Sequence, residues 1–165
     1  MSILEKKIIF NQHAIKQYLE KCSHPIVFTN GVFDLLHRGH VEYLNKARSL
    51  GGSLIVGINS DSSVRLLNKG LGRPINSDND RAYILAGLRC VDLVIIFSDK
   101  TAISLLRQIR PDIYVKGSDY TLEELPETKV MQEFNGSTVL VKFLPGYSTS
   151  NTINDIKKKC FYEED

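Results

Sequence analysis

Five short runs of apolar residues recur along the chain, at positions 25–29, 53–59, 92–97, 112–116 and 137–143, each dominated by Ile, Val, Leu or Phe. Runs of this length, nearly continuous rather than alternating with polar residues, predict strands buried on both faces. Between and after them, apolar residues fall at helical spacing over 41–50, 62–67, 81–88, 102–109, 127–134 and 152–159. An earlier helix is predicted over 11–21, with Ala14, Ile15, Tyr18 and Leu19 on one side. The regular succession of strand and helix predicts an α/β domain, a parallel sheet of about five strands with helices on both faces. Residues 1–24 form an N-terminal helical extension ahead of it.

Turn residues punctuate this alternation. Gly51-Gly52 closes one helix, Arg110-Pro111 closes another, and Asn135-Gly136 precedes the last strand. Ser77, followed three residues later by Asp80, has the form of a capping box. Two polar loops, 68–76 and 117–126, are long enough to carry function on such a scaffold.

Composition adds limits. The 165 residues suit one well-buried domain, taken as 1–165. With 42% hydrophobic and 24% charged residues the chain is globular, and a net charge of +2 gives no basis for nucleic-acid or membrane binding. The apolar runs are too short to span a membrane and the N-terminus lacks a signal-peptide core, so a cytoplasmic protein is expected. Cys22, Cys90 and Cys160 are scattered and odd in number, which supports neither a disulfide framework nor a protein-held metal.

The stretch 29–40, Thr-Asn-Gly-Val-Phe-Asp-Leu-Leu-His-Arg-Gly-His, joins the first predicted strand to the following helix. Helix N-termini carry unpaired N–H groups and favour negative charge, so a phosphate is expected there. The turn is not Gly-x-Gly-x-x-Gly, and no Gly-x-x-x-x-Gly-Lys-Ser/Thr loop occurs, which removes dinucleotide-binding dehydrogenases and P-loop phosphotransferases. His37 and His40, at i and i+3 on a helix start, can aim both rings at one spot beyond it. Gly39 between them leaves the approach to the backbone clear of a side chain. Imidazole N–H donors at this place would stabilise charge on a phosphate during in-line displacement.

Gly31-Val32-Phe33-Asp34 and His37-Arg38-Gly39-His40 resemble the Gly-x-Phe-Asp and His-x-Gly-His signature of the cytidylyltransferase-like nucleotidyltransferases. Gly146-Tyr147-Ser148-Thr149-Ser150 is similar to their distal Gly-Ile-Ser-Thr-Thr motif, with serine at the last place. Segments around Asn59, Asp61, Lys69, Arg73, Arg81 and Lys116-Gly117-Ser118-Asp119-Tyr120 narrow the resemblance to the stand-alone heptose 1-phosphate adenylyltransferases. It implies a Rossmann-like domain that transfers AMP from ATP to D-glycero-β-D-manno-heptose 1-phosphate, giving ADP-heptose and pyrophosphate for lipopolysaccharide inner-core synthesis. It further implies a homodimer.

By the same resemblance His37 and His40 are catalytic, and Thr29, Asn30, Gly31, Phe33, Asp34 and Gly39 line the nucleotide pocket. Lys116, Gly117 and Asp119 close its other side, while Ser148, Thr149 and Ser150 meet the phosphates. Asn59, Asp61, Lys69, Arg73 and Arg81 are expected to serve the substrate or its phosphate. Mg2+ bridges ATP phosphate oxygens and no protein metal cage is expected. Some residues keep a second reading: Asp34 as a turn or capping residue, Asp61 as an N-cap, Lys69 and Arg73 as a solvated loop. Arg81, a cation in the first turn of a helix, calls for an anionic partner. Related cytidylyltransferases carry an arginine before the distal motif, where this chain reads Lys142-Phe143-Leu144-Pro145. Two other functions compete, a CTP-dependent transfer to a small phospho-alcohol such as glycerol 3-phosphate and a nucleotide-binding module without turnover.

Overall fold

The computed structural model of the chain describes residues 2–9, 14–67 and 72–161. Among these, six strands form one fully parallel sheet: β1 (Ile8–Ile9), β2 (Ile26–Gly31), β3 (Ser53–Asn59), β4 (Leu93–Phe97), β5 (Ile113–Gly117) and β6 (Ser137–Val141). Their order across the sheet is β1-β4-β3-β2-β5-β6. The chain therefore winds outward from β2 to β3 and β4, then returns to β2 and winds the other way through β5 and β6. In open parallel sheets a crevice forms beyond the strand carboxyl ends where the winding reverses, here between β2 and β5.

Seven helices accompany the sheet: α1 (Ile15–Leu19), α2 (Arg38–Arg48), α3 (Asp61–Leu66), α4 (Asp78–Ala86), α5 (Ile103–Ile109), α6 (Pro126–Gln132) and α7 (Thr149–Phe161). Alternate strand residues point to opposite faces, so each strand feeds two cores. On one face Val27, Leu54, Val56, Val94 and Val115 pack with Tyr43, Leu44 and Ala47 of α2 and Ala82, Leu85 and Ala86 of α4. On the other, Phe28, Ile55, Ile95 and Tyr114 meet Ile15 of α1, Leu105, Leu106 and Ile109 of α5, and Val130 and Met131 of α6. Each fully buried aliphatic side chain contributes about 1.5–3 kcal/mol.

The expected sheet of about five strands gains a sixth. β1 has only two residues, too few to show a pattern, and it pairs Ile8 with Val94 and Ile9 with Ile95. The N-terminal extension is thus not purely helical. It holds a 3-10 turn at Glu5–Lys7, the edge strand and α1. Residues 11–13 of the helix expected there lie outside the described residues. The other helices form where expected, several beginning up to three residues earlier than the apolar spacing indicates. Their first turns are polar: Asp78-Asn79-Asp80 in α4, Thr149-Ser150-Asn151 in α7. Ser77 does cap α4, accepting the Asp80 N–H at 3.2 Å. Its partner differs from the expected box, because the Asp80 carboxylate accepts the Ser77 hydroxyl at 2.6 Å.

Candidate active site

His37 stands at the end of the β2–α2 turn in extended conformation (φ −138°) and caps α2 with its own ring, Nδ1 accepting the His40 N–H at 3.3 Å. Nδ1 is therefore the unprotonated nitrogen of neutral His37, which leaves Nε2–H as its donor. The His40 ring stacks on it, centroids 3.8 Å apart, and is backed on another side by Phe33 at 5.1 Å. Phe33 has a left-handed backbone (φ 48°), costing about 1 kcal/mol for a residue with a Cβ. Burial of its ring against His40 holds it there. Burial lowers the pKa of His40 to about 4, helped by the neighbouring His37 and opposed by the Leu35 carbonyl. Burial also lowers that of His37. Both rings are neutral donors near pH 7, and Nδ1 of His40 is buried without a hydrogen-bond partner among the described residues.

The start of α7 comes to the same place. Gly146 turns the chain with φ +85°, and the Ser148 hydroxyl caps the helix by accepting the Asn151 N–H at 3.0 Å. Thr149 Oγ1 donates to the Leu35 carbonyl at 3.5 Å, tying α7 to the turn before α2. A Cβ on Gly39 would lie 2.9 Å from Tyr147 Cβ and 3.1 Å from the His37 ring. The glycine expected to clear room for a phosphate instead lets the two helix starts touch.

A third wall comes from the end of β5. Asn30 Oδ1 accepts the Tyr114 hydroxyl at 2.7 Å and Lys116 Nζ at 3.2 Å, which fixes its carboxamide with the NH2 group away from those donors. Lys116 also lies 5.7 Å above the Tyr120 ring. The Phe143 ring covers Gly117 so closely that no Cβ fits there, and it packs on Tyr43 with centroids 5.0 Å apart. Asp119 is exposed at the rim.

These groups enclose a cavity of about 530 Å³ at the β2/β5 crevice, a volume suited to a nucleotide-sized ligand. Of the expected site residues, Asn30, Gly31, Phe33, Asp34, His37, Gly39, His40, Arg73, Lys116, Gly117, Asp119, Ser148, Thr149 and Ser150 all line it. Thr29 does not. It is fully buried behind the wall, its hydroxyl 2.8 Å from that of Tyr43, which in turn donates to the Val115 carbonyl. Asn59, Asp61 and Arg81 also stay away from the cavity. Asn59 donates to Ser63 Oγ, and Ser60 rather than Asp61 caps α3. Arg81 is 1% exposed and donates to the Val32, Asn59 and Asn76 carbonyls and to Asp61 Oδ1 at 2.8 Å. Its anionic partner is Asp61 within the protein, in place of a substrate phosphate. Lys69 lies outside the described residues. Phe143, Leu144, Tyr120 and Tyr147 line the cavity without having been assigned a role from the sequence, although each adjoins a motif.

The family model described as cytidylyltransferase-like matches residues 28–155, which contain both motifs and all three walls. The chain belongs to the cytidylyltransferase-like family. It is 48% identical over 134 residues to the D-beta-D-heptose 1-phosphate adenylyltransferase of Bordetella bronchiseptica, covering 81% of this chain and 83% of that protein. It is 48% identical over 167 residues to the bifunctional protein HldE of Helicobacter pylori strain G27, covering 96% of this chain but only 35% of the length of HldE. Among solved structures it is similar to the lipopolysaccharide core biosynthesis protein of Thermoplasma volcanium, with a TM-score of 0.61 and 28% identity over 72% of this chain and 95% of the other. Pantothenate synthetase of Thermus thermophilus, at 16% identity and a TM-score of 0.58, shares the fold.

Proposed function

We propose that the chain is a single nucleotidyltransferase domain that joins ATP to D-glycero-β-D-manno-heptose 1-phosphate, releasing pyrophosphate and ADP-heptose for lipopolysaccharide core synthesis. The observation that carries this is the convergence of two helix N-termini, one with His37 and His40 and one with Ser148 and Thr149, on one cavity. Two such termini offer several unpaired N–H groups and aligned dipoles to a polyphosphate. The similarity to an adenylyltransferase whose name specifies the heptose 1-phosphate supplies the substrates.

In this reaction an ionised oxygen of the sugar phosphate attacks the α-phosphorus of ATP. The new O–P bond forms as the bond to the β-phosphate breaks, so no covalent enzyme intermediate is needed. His37 Nε2–H and the His40 ring donate to phosphate oxygens as charge builds on them. Their neutrality leaves no excess positive charge to hold the product. Lys116 adds a cation at the opposite wall. Magnesium fits as a companion of the ATP phosphates: the Asp34 carboxylate is taken up inside the protein, and Asp119 is the rim carboxylate without a hydrogen-bond partner among the described residues. When bound it would neutralise phosphate charge, held chiefly by phosphate and water oxygens.

The domain is expected to act in the cytoplasm, where ATP is at hand, and as a homodimer whose mass light scattering would measure. Among the described residues no helix is long and apolar enough to cross a membrane. The test of function is a panel of ATP and CTP against heptose 1-phosphate and glycerol 3-phosphate, read by pyrophosphate release and product mass. ADP-heptose is the expected product. Turnover only with CTP and glycerol 3-phosphate would establish the cytidylyltransferase alternative, and nucleotide binding without product from any pair would establish a binding module.

A further inference from the structure

Asp34 and Arg73 form a pair to which the chemistry above assigns no part. Asp34 follows the left-handed Phe33 and is 2% exposed. Its carboxylate accepts the Ile75 N–H at 2.8 Å, the Asn76 N–H at 3.0 Å and Arg73 Nε at 2.6 Å. The Asn76 side chain donates back to the Asp34 carbonyl at 3.0 Å, so the loop before α4 is clamped to the β2–α2 turn. A carboxylate filled in this way has little capacity left for a ligand. Its effect falls on the arginine.

A guanidinium is planar, so holding Nε–H sets the direction of the edge formed by the two terminal nitrogens. In Arg73 those nitrogens have no hydrogen-bond partner among the described residues, the side chain is 11% exposed, and it lines the cavity. Such an edge matches two oxygens of one phosphate. Arg81, eight places on, shows the contrast. It bonds only within the fold, to three carbonyls and Asp61.

Position selects which phosphate. The capped start of α7 and Lys116 enter the cavity from the β5–β6 side of β2, whereas Arg73 enters from the loop between α3 and α4, on the β3 side. The histidine pair, on the helix that follows β2, stands between. In-line displacement needs the entering oxygen and the leaving pyrophosphate on opposite sides of the α-phosphorus. We propose that Arg73 binds the phosphate of the incoming sugar 1-phosphate, with Asp34 as its positioning residue. This assignment rests on the reading of the site as one that joins ATP to a phosphate-bearing acceptor. The guanidinium would hold two oxygens of the acceptor phosphate while the third, already ionised, attacks. No proton has to move, and the electron pair of the broken bond leaves with pyrophosphate.

The test is a steady-state comparison of wild type with Arg73→Gln, Arg73→Lys and Asp34→Asn, varying each substrate at saturating levels of the other. Arg73→Gln is expected to raise KM for heptose 1-phosphate about 10- to 100-fold, the equivalent of one charged bidentate contact, with KM for ATP within about twofold. Arg73→Lys should recover part of the loss. Asp34→Asn should shift the same constant in the same direction. A rise in KM for ATP equal to or above that for the sugar phosphate would overturn the assignment, as would unchanged constants in Arg73→Gln. If Arg73→Gln does not fold, as read by circular dichroism, Arg73→Lys decides on the same criterion. Wild type is assayed alongside, so a wrong function appears as no ADP-heptose from wild type, and a wrong role for Arg73 appears only in the variants.

Discussion

His37 and His40 lie ring on ring, centroids 3.8 Å apart and planes 14° from parallel. Two imidazoles this close cannot both carry charge cheaply, and burial already holds His40 neutral. They act as a pair of oriented N–H donors. Replacing His40 with alanine is expected to lower kcat about 100- to 1,000-fold, the usual loss for one donor aimed at developing charge. Circular dichroism and melting should match wild type, because the ring sits at the cavity and not within either core.

The same burial makes the free protein sensitive to acid. The pKa of His40 is about 4 in the folded chain against an ordinary 6.5, so on acidification the unfolded chain takes up the proton first. Stability is then full above pH ~6.5 and declines as pH falls towards 4, the direction required when the unfolded state binds more protons. Melting temperatures measured across that window without nucleotide should fall, and His40→Gln should flatten the slope. A His40→Gln profile as steep as wild type would show that other groups govern the acid limb.

Gly39→Ala tests the meeting of the two helix starts. The added methyl would press on Tyr147 and on the His37 ring, at 2.9 and 3.1 Å. Because Tyr147 is half-exposed, the α7 start can give way without loss of the fold. Turnover is expected to drop at least ~10-fold, the sensitivity of positioned catalytic groups to small displacements, with little change in melting temperature.

Arg81 should behave in the opposite way. Its guanidinium joins the ends of β2 and β3 to the starts of α3 and α4 from a fully buried position. Arg81→Met keeps the bulk but leaves three carbonyls and Asp61 unpaired, for an expected loss of about 3 kcal/mol in urea unfolding. Any residual folded enzyme should retain its KM values.

The contrast between the two arginines shows where sequence reading stops. Strands, helix order and the anion site at residues 37–40 follow from hydropathy and spacing, both of which are local. The need of Arg81 for an anion is also local, since it stands in the first turn of a helix. That the anion is Asp61, twenty residues earlier and reached only when β2 and β3 lie side by side, depends on tertiary contact. The role of Gly39 was hidden for the same reason, because its neighbour Tyr147 lies more than a hundred residues away. Thr29 belongs to the first motif yet faces Tyr43, because strand alternation turns it into the core while Asn30 turns to the cavity. β1 left no trace because a strand of two residues has no period.

The bond from Thr149 to the Leu35 carbonyl spans 114 positions, nearly the whole domain. Contacts of such long range carry a large loop-closure cost and belong to the later stages of folding. On a ribosome, the sheet from β2 to β5 can pair before residues 146–150 have been made. The catalytic cavity is consequently completed near the end of synthesis, and a nascent chain stalled before Gly146 would hold its histidines in place with one wall missing.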